Sequence, residues 1–180
     1  MPRKKNAIEK LQQAVEIALK ADIIILAVGA NWNSDGEGGD RSTLDLSTPQ
    51  NALADAMFSL GKPVILVLQG GRPFAIPEHY SRAAAVINTF FPGLAGGQAI
   101  TDVLFGEFNP GGRIPITVPR SVGTLPNFYS YAQLGILNFV GADFCSRYKN
   151  TAHFRYYLDA EWEPSVSFLP SNPYAVVMFS

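Results

Sequence analysis

One cysteine, Cys145, stands in 180 residues, so the chain has no internal disulfide and no second thiolate for a metal cage. Net charge is nearly absent: 14 Lys plus Arg against 15 Asp plus Glu leave -1. That balance gives no global attraction to nucleic acid or to an anionic membrane, and neither is expected as a partner. The basic cluster Arg3-Lys4-Lys5 reads as a solvated terminus. Long apolar runs are missing too. Ile23 to Gly29 is much too short to span a bilayer, and Glu9, Gln12, Gln13 and Glu16 interrupt any secretory core after the basic start. As written, the sequence reads as a soluble chain without an export signal. The two histidines, His79 and His153, stand in unremarkable contexts and complete no nucleophile triad.

What is present suffices for one domain with a sizeable core. Asn6 and Glu9 form a candidate capping box, followed by Ile8, Leu11, Val15, Ala18 and Leu19 at helical spacing, which predicts a helix over 7–20. Residues 22–29 then become a β-branched apolar run, the pattern of a strand buried on both faces. Ser47, Pro49 and Gln50 cap a second helix with the stripe Leu53, Ala54, Met57 and Leu60, and Gly61 ends it. Strands are expected at 63–68 and 83–88, a helix at 96–105 and a strand at 113–118. Pro115 makes the last an edge or bulged strand. The alternation predicts a three-layer α/β/α sandwich with a mostly parallel sheet over 1–131. Residues 132–180, rich in aromatics and prolines, have no assignable period and read as a divergent C-terminal extension. Tyr174 to Phe179 is a strand or an apolar tail.

The loop Asp35-Gly-Glu-Gly-Gly-Asp-Arg41 follows the first strand, and an open α/β sheet holds its ligands at the carboxyl ends of its strands. Asp35, Glu37 and Asp40 are candidate proton donors or hydroxyl ligands. A carboxylic acid serves as a general acid near neutrality only when burial or a neighbouring charge keeps its proton on. Three adjacent acids favour that, while Arg41 opposes it for whichever acid it pairs with. A solvated turn, with the glycines allowing positive φ, explains the same residues. Trp32 is either a stacking platform for a sugar ring or simple packing. Gln69-Gly-Gly-Arg-Pro73 and Phe90 to Gly97 leave later strands on the same side, so Arg72 is expected to face the acidic loop or to close a surface salt bridge. The spacing fits neither a dinucleotide fingerprint, a phosphate loop nor a calcium loop; no cofactor or metal is implied.

These motifs, in order, resemble the second domain of family 3 glycoside hydrolases. Glu37-Gly-Gly-Asp-Arg41 with Leu44, Leu46, Pro49 and Gln50 is similar to that family's EGxDR segment. The resemblance continues through Gly61-Lys-Pro-Val-Ile-Leu-Val-Leu-Gln-Gly-Gly-Arg-Pro73 and Phe91-Pro-Gly-Leu-Ala-Gly-Gly97. It runs on through Asp102-Val-Leu-Phe-Gly106 to Asn109-Pro-Gly-Gly-Arg-Ile-Pro-Ile-Thr-Val-Pro119. It covers about residues 20–131 and is nearest to fungal β-glucosidases and β-xylosidases. No single motif is specific; their order is.

The resemblance implies an α/β sandwich that follows a TIM-barrel domain, with the substrate in the cleft between them. It implies retaining hydrolysis of terminal, non-reducing β-D-glycosyl residues, with β-glucoside or β-xyloside oligosaccharides as substrates. The barrel holds the aspartate nucleophile and most contacts to the sugar; the sandwich supplies the acid/base. Glu37, three places before Asp40, and Asp35, five places before it, both match an acidic position of the family. A shorter Asp35 in place of a glutamate would withdraw the carboxyl by about one methylene, enough to impair proton transfer. Asp40 and Arg41 read as loop organisers, and Arg72 as a shaper of the cleft.

The sequence also departs from the pattern. No barrel precedes Met1, and Trp162-Glu-Pro-Ser-Val-Ser-Phe168 leads into residues unlike the family's PFGxGLSYT segment. The fibronectin-type domain that often follows is missing as well. A truncated product or an excised domain accounts for these losses. The family is expected to be secreted, whereas this chain without a signal peptide is cytoplasmic or unassigned. Two readings stand: part of a β-glycosidase, inactive alone, or a non-catalytic carbohydrate-binding or protein-interaction domain derived from one.

Overall fold

Side chains alternate across a strand, and in three parallel strands of this chain both sets are apolar, which calls for helices above and below. The computed structural model describes residues 2–112 and 114–125, with the backbone alone for 2–5, 32 and 33. The expected extension over 132–180, its terminal run and the boundary at 131 lie outside the described residues. In chain order the elements are α1 (Pro2–Ala18), β1 (Ile24–Gly29), α2 (Trp32–Asp35), α3 (Thr48–Phe58), β2 (Val64–Gln69), α4 (Pro77–Arg82), β3 (Ala85–Phe90) and α5 (Gly96–Leu104), then a 3-10 turn at Val122–Thr124. The described sheet has the order β1-β2-β3, all parallel, with Leu26 beside Leu66 and Leu66 beside Val86.

One face of the sheet carries Ile24, Leu26, Val28, Val64, Leu66, Leu68 and Val86. They meet Ala14, Val15 and Ala18 of α1, Ala54, Met57 and Phe58 of α3, and Tyr80 of α4. The opposite face carries Ile65, Val67 and Ile87 under Ile100, Val103 and Leu104 of α5. This is the expected three-layer α/β/α sandwich. Among the described residues, no helix is long and apolar enough to cross a membrane.

The ends of the elements differ from the sequence reading in ways the physics explains. Helix α1 begins at Pro2, so Asn6 lies inside it and the capping box is unused; proline is well suited to a first helical turn. At the other end, the last carbonyls find a cation from another element: Lys62 Nζ donates to Ala18 O at 3.1 Å, to Leu19 O at 2.6 Å and to Ala21 O. Helix α3 starts after Ser47, whose side chain makes no capping bond. Gln50 does not reach back to Ser47. Its Nε2 donates to Gly29 O at 2.9 Å and ties α3 to the end of β1.

Three expectations are corrected. Among the described residues strand β1 is covered on one face only, because α5 lies over β2 and β3, and Ile25 is 50 % exposed. Strand β3 runs two residues later than expected: Ala83 closes α4 through its N–H to His79 O at 3.0 Å, and buried Thr89 extends the strand. No strand forms over the described part of 113–118, where Val118 makes an isolated bridge and Pro115 lies in a bend. Ile114 and Val118 are buried all the same, so the apolar run packs without a ladder. Helix α4 was not foreseen. Its His79, held at 3.0 Å from Asp55 Oδ1 and stacked on the Phe58 ring at 5.5 Å between centroids, docks it onto α3.

Candidate functional site

Parallel strands send their following loops out on one side, so the segments after Gly29, Gln69 and Phe90 share a rim. Gly29 makes the first of them possible. At φ 149 it stands where any Cβ would overlap the Gln69 carbonyl. The absence of a side chain lets Ala30 N–H donate to Gln69 O at 2.7 Å.

The acidic loop is then fixed at both ends. Asn31 starts a single helical turn, α2, by donating its N–H to Ser34 Oγ at 2.9 Å and accepting from the Ser34 and Asp35 N–H groups at 2.9 Å each. At the far end, Ala75 N–H donates to Leu44 O at 2.9 Å, and Leu46 is buried in the core. Between these anchors Gly39 N–H closes a turn onto Gly36 O at 2.9 Å, with Gly38 at φ 72.

This framework separates the two candidate acids. The Asp35 side chain is 2 % exposed and pairs with the Arg72 guanidinium, which is itself 23 % exposed. Neither Asp35 oxygen has a further hydrogen-bond donor among the described side chains. A buried carboxylate requires such a cation, and one joined to a guanidinium acts as a hydrogen-bond acceptor. Glu37, two residues on, is exposed, as are Asp40 and Arg41, and none of the three makes an ion pair among the described residues. Trp32 opens α2, and its side chain lies outside those described.

The structure therefore brings Asp35 and Arg72 together and leaves Glu37, on the same rim, without an ion pair among the described residues. Sequence reasoning left Arg72 either facing this loop or closing a surface salt bridge; it faces the loop and pairs there with Asp35. It missed the Gln50 tether to β1, which the capping-box pattern concealed. It named Phe91 beside Arg72 as a rim residue but not the contact of its ring with Gly71. The signal for that contact was available: a glycine before Arg72 and an aromatic just after a strand end on one rim. Among the described residues no His/Cys/Asp/Glu group is arranged to hold a metal ion. The rim can thus offer the exposed carboxyl groups of Glu37 and Asp40 beside a buried ion pair.

Comparison with known proteins bears on what such a rim is for. Residues 4–159 match the family model of the Glycosyl hydrolase family 3 C-terminal domain. A periplasmic β-glucosidase of Salmonella typhimurium is 40 % identical over 134 residues, covering 74 % of this chain and 17 % of its own length. A β-xylosidase of Formosa agariphila is 39 % identical over 121 residues, covering 67 % and 17 %. A protein of Emericella nidulans named as a β-glucosidase is 34 % identical over 129 residues, covering 72 % and 15 %. The chain thus spans 15–17 % of these relatives' length. A crystal structure of a β-glucosidase from Listeria innocua is similar at a TM-score of 0.74 and 28 % identity, over 89 % of this chain and 21 % of that one. Bacterial relatives match at least as well as fungal ones, so the expected leaning toward fungal enzymes is not distinguished.

Proposed function

The chain belongs to the family 3 glycosyl hydrolases as their C-terminal domain, and from that premise we propose that it supplies the acid/base of a retaining β-glycosidase, with Glu37 in that role. The observation that carries this choice is the contrast between neighbours. Asp35 is buried against Arg72, while Glu37 is exposed two residues later on a loop anchored at both ends. Asp35 then holds the loop, and Glu37, exposed like Asp40 but matching the family's acidic position, is the carboxyl group offered to a glycoside; a barrel domain packed on the rim would supply the burial that a general acid needs.

In the first step, Glu37 gives its proton to the departing glycosidic oxygen while a carboxylate of a barrel domain attacks the anomeric carbon. In the second, Glu37 takes a proton from the water that releases the sugar. General acid–base assistance contributes about 10²–10⁴-fold. The substrates are terminal β-D-glucosides or β-D-xylosides, a range supported by the names of the relatives, and the packing partner is a TIM-barrel domain carrying the nucleophile.

The test joins this domain to a relative's barrel and compares leaving groups. In Glu37→Gln, kcat/KM for an alkyl β-glycoside should fall by about 10²–10⁴-fold, with far less loss for a dinitrophenyl glycoside, which leaves without protonation. Asp35→Asn should lower both substrates alike, because it disturbs the loop and not the proton. The reverse pattern assigns the acid to Asp35.

A further inference from the structure

The end of β3 departs from regular strand geometry. Leu68 pairs with Asn88, yet Gln69 pairs with Phe90, so Thr89 is an extra residue in the ladder. Thr89 is buried, and its Oγ1 donates to Leu68 O at 3.0 Å. Phe90 then adopts φ 51, the one non-glycine residue with positive φ among those described. For a residue with a Cβ this conformation is sterically disfavoured. It persists because the surroundings hold it: Gly70 N–H donates to Phe90 O at 3.0 Å, and Phe90 N–H donates to Asn88 Oδ1 at 3.3 Å.

The consequence of that strain is where Phe91 goes. Its ring lies so close to Gly71 that a Cβ there would stand 2.6 Å from Phe91 Cε2 and 3.3 Å from Cζ. Phe91 is nevertheless 60 % exposed, so core burial does not account for its placement. The backbone it touches leads directly into Arg72, and Arg72 holds the buried Asp35. Observed strain at a loop junction motivates a functional role.

We infer that Phe91 is a positioning residue for the acidic loop: aimed by the strained Phe90, its ring braces Gly71 and Arg72, which hold Asp35 and so fix where Glu37 leaves α2. This rests on the acid/base reading for its catalytic meaning, but its test needs no catalysis. In the full 180-residue chain, nuclear magnetic resonance follows the Arg72 Nε–H and the Gly39 amide, which closes the loop's turn. Phe91→Ala should speed exchange at both by at least about tenfold, as for a local opening, while the β2 amides of Leu66 and Leu68 stay unchanged. Phe91→Tyr should restore slow exchange. Gly71→Ala, which displaces the ring from the other side, should reproduce Phe91→Ala and add nothing to it in the double variant, because both act on one contact.

Unchanged exchange at Arg72 and Gly39 in Phe91→Ala overturns the inference. So does a rise shared with Leu66 and Leu68, failure of Phe91→Tyr to restore, or a double variant looser than Phe91→Ala. If the exchange pattern holds while Glu37 proves not to be the acid, the brace stands and only the acid/base reading fails.

Discussion

At Asp35 the cost of burial settles the side chain's partner. Its carboxylate is almost wholly removed from water and faces Arg72, so breaking the pair leaves an uncompensated charge. For a fully buried pair that costs about 3–5 kcal/mol; with Arg72 partly exposed, Arg72→Gln should cost about 2–3 kcal/mol in urea unfolding. Adding Asp35→Asn should return most of that loss, since the stranded charge is then gone. Two full, additive losses would contradict the pairing. Tyr80 gives a second residue-scale prediction. Burial pushes its phenol above the usual tyrosine range, and its hydroxyl has no hydrogen-bond partner among the described residues. A pKa raised in the folded state gives a contribution fully present below the unfolded value of about 10 and lost above it. Tyr80→Phe should therefore match or exceed the parent by about 0–1 kcal/mol at pH 7 and lose less stability between pH 10 and 11. The sequence alone left Asp35 and Glu37 in competition, because the partner that separates them sits in another loop.

Among the elements, the junctions carry most of the information. Helix α1 has no basic residue in its last turn, and Lys62, just before β2, satisfies its terminal carbonyls instead. A cation there also complements the helix dipole. Lys62→Met should cost about 1–2 kcal/mol, read from urea unfolding, with amide exchange at the end of α1 rising most. The long periodic segments were legible: β1, β2, α3 and α5 fall within a few residues of expectation, because apolar pattern and glycine stops agree there. Helix α4 was not, since its six residues are too few to display a period. The bounds of β3 and the run at 113–118 were misjudged for a related reason. Apolar content predicts burial, which Ile114 and Val118 show, but not whether a ladder forms around Pro115.

At the scale of the molecule, alternation of helical and strand patterns was enough to read a three-layer sandwich, since few other architectures bury both faces of a parallel sheet. That α5 covers β2 and β3 and not β1 was not legible, because sequence does not say which strands a single helix covers. The family was legible in ordered motifs, whereas the geometry of the candidate site comes from the rim that three parallel strands create. On the proposed reading Glu37 supplies one carboxyl group of a two-carboxylate mechanism and a barrel domain the other, so the 180-residue chain alone should not measurably hydrolyse aryl β-glucosides or aryl β-xylosides. Turnover that disappears in Glu37→Gln would show that the chain acts without a barrel. The central assignment is tested most directly by chemical rescue. With the domain joined to a relative's barrel, Glu37→Ala is assayed on a dinitrophenyl β-glycoside with and without azide, an anion that attacks the glycosyl-enzyme without needing a general base. The account predicts that azide restores turnover in Glu37→Ala and yields the β-glycosyl azide, while Asp35→Ala gives no azide product. Rescue of Asp35→Ala, with none for Glu37→Ala, would contradict it.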